Sequence, residues 1–208
     1  MAFPNTGILD NFNRANEGPP PSSSWTTGLA TTVGGLSFVS NVCKSASTSG
    51  DGYWNVSTFG PDSEVFCTDT VATTIELGIR LTNPSGSGTT DGYSWSSDNN
   101  IGNGVYRLDN GVETRLGSIN NTNTANNDII GFRMVGSKLE TFINNSLVMS
   151  RYDSTYTTAG YIGLYLTNAT CQVDDFGGGT VVGVIDPGFS TFPKKRMRNL
   201  ERVVRSNA

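Results

Sequence analysis

The chain has 208 residues, 14 Lys and Arg against 18 Asp and Glu, 36% hydrophobic residues and only 15% charged ones. That length and apolar content suit one globular domain and exclude disorder over most of the chain. There is no histidine, which removes Ser-His-Asp and Cys-His catalysis, His-ligated zinc and the H-E-x-x-H metalloprotease site.

Cys43, Cys67 and Cys171 lie far apart with no C-x-x-C spacing. Zinc ribbons, thioredoxin-type redox chemistry and a disulfide scaffold are therefore not expected, and three buried thiols are the plainer reading. Met1–Asn13 carries neither a basic n-region nor an apolar h-region. It does not read as a signal peptide, so the expectation is synthesis in a cytoplasm without export by that route. No run of 18 apolar residues occurs, so no membrane-spanning helix is expected.

In chain order, Pro19–Ser24 reads as a loop ahead of Trp25. Strands are predicted at Leu36–Asn41, Gly52–Val56 and Glu64–Thr68. Thr74–Thr82 alternates cleanly, with Ile75, Leu77, Ile79 and Leu81 on one face and Glu76, Gly78, Arg80 and Thr82 on the other. Glu76 and Arg80 read as an exposed ion pair on the polar face. Pro84–Thr90 is a polar loop, followed by a strand at Tyr93–Ser96. Val105–Leu108, Asp109-Asn110-Gly111 and Val112–Leu116 read as a hairpin, because Asn-Gly accepts positive φ at both turn positions.

Ile119–Asn127 is a second polar loop. Asp128–Val135, Lys138–Ile143 and Leu147–Arg151 form a predicted meander turning at Gly136-Ser137 and Asn144-Asn145. Gly160–Leu166 and Cys171–Phe176 complete the strands. Short strands every 8–12 residues without helical periodicity imply an all-β antiparallel sandwich of the jelly-roll type, with no fixed-period repeat.

Gly177-Gly178-Gly179 is expected to end this body, packing nothing, which gives a domain over residues 1–179 and an arm over 180–208. Thr180–Ile185 is an apolar run able to add a strand to a sheet edge, and Asp186-Pro187-Gly188 a turn. Beyond Pro193, Met197, Leu200 and Val204 fall on one helical face. Lys194, Lys195, Arg196, Arg198, Arg202 and Arg205 surround that face with only Glu201 against them. Lys194, Lys195, Arg196, Met197, Arg198, Leu200, Arg202 and Val204 are thus the expected partner-binding residues. A frayed, solvated tail is the simpler alternative. The basic stretch has no interleaved aromatics and the body is acidic, so an acidic groove on a neighbouring protein is favoured over nucleic acid.

The opening Leu9-Asp10-Asn11-Phe12-Asn13-Arg14-Ala15-Asn16, with Ser24-Trp25-Thr26 after it, resembles the start of concanavalin A-like (laminin-G-like) jelly rolls common in bacteriophage virion proteins. Tyr53-Trp54, Arg80-Leu81, Val105–Gly111, Gly136–Asn144 and Asp174-Asp175-Phe176 match further motifs of that family in order. The resemblance spans Ile8 to Gly178. It implies two packed antiparallel sheets with the first and last strands adjacent, and a role in binding or structure. Related glucanases carry E-x-D-x-x-E on one strand, which places two carboxylates about 5 Å apart for retaining chemistry. No such triplet is present, and Glu64 and Asp69 would face opposite sides of a strand, so hydrolysis is disfavoured.

Two functions follow as expectations. One is a non-enzymatic structural protein of a phage virion (capsid decoration, fibre or tail-associated), oligomeric and assembled through the arm onto other virion proteins. The other is a carbohydrate-binding module. Tyr93, Trp95 and Tyr106, with Asp91 and Arg115 near them in sequence, are the candidate glycan site, as exposed rings flanked by polar groups are what sugars stack on. The plainer reading makes each ring the core aromatic of its strand, and Trp25 and Trp54 read as core. Asp174-Asp175 and Asp98-Asn99-Asn100 lack the spacing of a calcium loop, so no metal and no cofactor are expected. The four N-x-S/T sites are attributed to composition.

Overall fold

A computed structural model describes residues 3–29, 34–71, 73–84, 88–98 and 101–183. The expected arm residues Lys194, Lys195, Arg196, Met197, Arg198, Leu200, Arg202 and Val204 lie outside the described residues.

The described chain is built of strands. Those of its first half are β1 (Ile8–Asp10), β2 (Trp25–Thr26), β3 (Gly34–Val39), β4 (Val42–Ser45), β5 (Gly50–Trp54), β6 (Ser63–Val71), β7 (Ile75–Thr82) and β8 (Asp91–Ser97). Those of its second half are β9 (Gly104–Asp109), β10 (Val112–Arg115), β11 (Asp128–Val135), β12 (Lys138–Ile143), β13 (Ser146–Tyr152), β14 (Tyr161–Leu166) and β15 (Gln172–Thr180). Among the described residues no helix is long and apolar enough to cross a membrane.

The strands form two layers. One sheet runs β4-β15-β6-β11-β12-β13, with β1 beside β15. The other runs β10-β9-β8-β7-β14-β5, with β2 against β5. β3 joins them: Gly34-Gly35 pairs in parallel with β5, and Leu36–Val39 pairs with β4. Leu36, Phe38, Val65, Cys67, Ile75, Leu77, Ile79, Trp95, Ile130, Phe132, Met134, Leu164 and Val173 fill the space between the layers. The thiols of Cys43, Cys67 and Cys171 are free and buried.

The turns follow local chemistry. Asn110-Gly111 closes β9 onto β10 with φ of 52° and 77°, and Asn144-Asn145 closes β12 onto β13 with φ of 48° and 66°. Side-chain amides tolerate that left-handed region, which matches the twist of a hairpin. Ser40-Asn41 does the same between β3 and β4. The strand predicted at Leu36–Asn41 therefore ends at Val39.

The motif at the start of the chain is a structural pin. Asp10 is only 7% exposed. Its carboxylate accepts from Trp25 Nε1 at 2.9 Å, from the Phe12 backbone N–H at 3.0 Å and from two nitrogens of Arg14 at 2.6 and 3.0 Å. The Arg14 guanidinium lies 3.7 Å over the Phe38 ring. Trp25 packs on Phe176 of β15, with ring centroids 4.7 Å apart. The D-x-F-x-R opening, the tryptophan and the closing D-D-F therefore bind the first and last strands to each other.

Two expectations are corrected. Alternation does not persist along β7, because Arg80 adopts φ 51° in a bulge opposite β8 and β14. The extra residue exchanges faces. Arg80 is 1% exposed and donates to the carbonyls of Pro61, Tyr156 and Gly136 at 2.5, 2.8 and 2.9 Å. It makes no exposed pair with Glu76. Leu81 moves to the face of Glu76 and Gly78, away from the inter-sheet core.

The glycines 177–179 are also packed. They pair with Phe66, Val65 and Glu64 inside β15. A Cβ on Gly177 would fall 2.2 Å from the Phe66 ring. The strand continues to Thr180, whose hydroxyl accepts from Gly60 N–H at 2.8 Å, and Val181 is buried beyond it.

Candidate functional site

The second sheet has one face in the core and one turned away from it. Alternation sends Ile75, Leu77, Tyr93, Trp95, Val105 and Leu164 inward. Glu76 and Gly78 of β7, Ser94 and Ser96 of β8, Tyr106 and Leu108 of β9, Glu113 and Arg115 of β10, Tyr165 of β14 and Asp51 of β5 take the opposite face. A pocket of about 190 Å³ opens there. Its polar lining is Asp51, Glu76, Thr90, Ser94, Glu113 and Tyr165, and Leu29, Leu81 and Leu108 supply an apolar wall.

Glycine shapes the floor. Gly78 and Gly163 face each other across β7 and β14. A Cβ on Gly78 would sit 2.9 Å from Leu81 Cδ1, and one on Gly163 2.9 Å from Leu29 Cδ1. The two leucines thus lie directly over bare backbone beside the carboxyl groups.

The electrostatics of the pocket are acidic. Burial pushes the Glu76 carboxyl up to about 8; repulsion from Glu113 adds to this, a hydrogen bond from Ser96 opposes it, and Asp98 adds again. Glu113 sits exposed at the pocket rim, and partial desolvation there raises it too. The Tyr165 phenol is raised by burial, against a hydrogen bond with Ser49. Ser94 is 4% exposed and its Oγ has no hydrogen-bond partner. No ion pair reaches Glu76 or Glu113 among the described residues.

The structure divides the five residues grouped in sequence as a glycan platform. Tyr93 and Trp95 are 0% exposed, their rings turned into the core, so neither is a surface for a sugar. The Tyr93 hydroxyl donates to Asp153 at 2.7 Å. Asp91 accepts from Asn110 N–H at 2.8 Å and Tyr156 hydroxyl at 3.1 Å, which ties it to a loop network at the sheet's end. Only Tyr106 and Arg115 remain on the outer face, opposite each other on β9 and β10. The same alternation that buried Tyr93 and Trp95 placed Ser94, between them, and Ser96, after them, outward.

The sequence reading missed Asp51, Ser94, Glu113 and Tyr165, and took Glu76 for half of a surface ion pair. Period-2 alternation was the available signal for Glu76, Ser94, Glu113 and Tyr165, each beside an apolar residue of its strand; Asp51, between two glycines, had none. Beyond the β9–β10 hairpin, which strands of this sheet lie side by side was not readable. Among the described residues no three His, Cys, Asp or Glu side chains converge as a metal cage.

Comparison with known proteins gives the fold. No family model and no curated sequence matches. Solved structures do match. A carbohydrate-binding module from Bacillus subtilis superposes with a TM-score of 0.54 at 14% identity, over 75% of this chain and 91% of that one. The exoplasmic/lumenal domain of VIP36, in a form bound to calcium and Man2, gives 0.59 at 9% identity, over 88% and 90%. A Bacillus licheniformis β-glucanase gives 0.53 at 14%, over 84% and 98%. The fold is the concanavalin A-like jelly roll. Its neighbours include binding modules, lectin domains and hydrolases.

Proposed function

We propose that this protein is a saccharide-binding jelly roll whose ligand lies across the outer face of the second sheet and seats one unit in the Glu76–Ser94–Glu113 pocket. The observation that carries the reading is the pocket itself. It combines hydroxyl and carboxyl hydrogen-bonding groups with a leucine wall, the mixture that a sugar ring presents in reverse. At about 190 Å³ it is smaller than the roughly 300–1,000 Å³ of a drug-sized site. It therefore suits one sugar unit, with the rest of the chain lying along Tyr106 and Arg115. Neighbours of the same fold named for carbohydrate recognition support the reading.

Binding without cleavage fits the arrangement better than hydrolysis. The outer face of β7 carries Glu76 followed by Gly78 and Leu81, so that strand does not repeat the E-x-D-x-x-E arrangement of the related glucanases. Residence in a phage virion rests on the sequence resemblance. It is compatible with saccharide binding, because a particle-borne jelly roll can carry a glycan site. A glycan array tests the main reading: saturable binding to a glycan class, lost on Tyr165→Ala and Ser94→Leu, is expected. Binding unchanged by both substitutions would place the ligand elsewhere.

A further inference from the structure

Resting on the saccharide reading, we infer that the unit held in this pocket is an amino sugar with a free amine, its ammonium group seated over Ser94 within reach of Glu76 and Glu113. Three observations lead there. First, Glu76 and Glu113 reach into one pocket from β7 and β10, and no cationic side chain pairs with either among the described residues. Arg115, which shares an outer face with Glu113, stands opposite Tyr106 and makes no such pair. Second, Ser94 Oγ is buried in the pocket wall with no partner. A buried hydroxyl left unmatched is costly, and a ligand N–H or O–H would satisfy it. Third, Asp51 and Asp98 add to the acidity of this face, and nothing basic lines the pocket.

An uncompensated acidic pocket discriminates among sugars. A neutral ring can exchange hydrogen bonds with the carboxyl groups but brings no positive charge to pair with either. An ammonium group brings that charge and donates three hydrogen bonds. An acetylated amine has lost the charge and two donors, and its methyl group would displace the ammonium site. Burial holds the Glu76 carboxyl up at about 8, and a bound cation, which favours the carboxylate, should draw it down. The groups facing Glu76 from neighbouring strands are Glu113, Asp98, Ser96, Tyr106, Tyr165 and Asp51; the basic group of this face is Arg115, which acts on Tyr106 and makes no ion pair with Glu76.

The test is isothermal calorimetry on the full chain with three soluble oligomers: the β-1,4-linked glucosamine tetramer, its fully N-acetylated form and cellotetraose. The glucosamine tetramer is expected to bind at least about tenfold tighter than the other two. At about pH 6 its binding heat should vary with the ionisation enthalpy of the buffer, reporting proton release. Glu76→Gln and Glu113→Gln, close in shape to the parent residues, should each bring the three affinities toward parity. Equal or tighter binding of cellotetraose or the acetylated oligomer overturns the amine assignment and leaves saccharide binding standing. Absence of binding by all three also overturns it, while the glycan array judges the broader reading separately. Retention of the preference in both Gln variants overturns it as well.

Discussion

Asp10 offers a direct check on how the fold is pinned. Replacing it with alanine removes the acceptor shared by Trp25 Nε1, Phe12 N–H and Arg14. Arg14 is a third exposed and can turn to water, so its part of the loss is small. The indole N–H and the Phe12 amide cannot, because both residues are buried. A buried donor left unmatched costs about 1–3 kcal/mol, so two of them put the loss near 3–4 kcal/mol. For a domain of this size that corresponds to a fall of roughly 6–15 °C in melting temperature. Trp25→Phe removes the indole donor while keeping an aromatic ring against Phe176. A double-mutant cycle of Asp10→Ala with Trp25→Phe, followed by urea unfolding, should return a coupling of about 1–2 kcal/mol. A single-mutant loss under about 1 kcal/mol, or a coupling of zero, would refute the pin and leave the opening motif unexplained.

Other outcomes follow from the same structure. Phe132→Ala should cost about 3–5 kcal/mol in chemical denaturation, since the ring is fully buried between the sheets; a loss below about 1 kcal/mol would mean that the register of β11 is wrong. Because Glu76 holds its proton more tightly in the folded state, stability should fall as pH rises between the unfolded value near 4.5 and the folded value near 8, and Glu76→Gln should flatten that slope and stabilise the alkaline side; a steeper slope in the variant would contradict the assignment. Deleting residues 184–208, all beyond the last described strand, should leave the β content and the saccharide binding intact; loss of either in circular dichroism or calorimetry would contradict this.

Much of the sandwich is legible in the sequence because alternation is a local property. Ile130, Phe132 and Met134 face the core as their spacing requires, and Asn110-Gly111 turns as its side chains dictate. The bulge at Arg80 is not legible, because its left-handed residue is an arginine rather than a glycine. What holds it there is three carbonyls from distant loops, a tertiary fact without a local sign. The same bulge carries Leu81 to the pocket.

The three glycines of β15 mislead for a related reason. Glycine in a row reads as a hinge, yet here it makes room for the Phe66 ring and the backbone of Glu64. The pocket was hidden because β14 and β5, far away in sequence, bring Tyr165 and Asp51 beside the consecutive strands β7 to β10. Tyr93 and Trp95 drew attention as aromatic residues, and the functional candidates are the serine between them and the carboxyl groups across the sheet.

The central claim is that a saccharide occupies the outer face of the second sheet. The most direct measurement is an NMR titration of isotopically labelled protein with the tightest oligosaccharide from the array. The account predicts saturable amide shifts confined to Gly78, Ser94, Tyr106, Glu113, Gly163 and Tyr165, with the strands β11, β12 and β13 unchanged. Shifts clustered on those three strands instead, or none at saturating ligand, would contradict it.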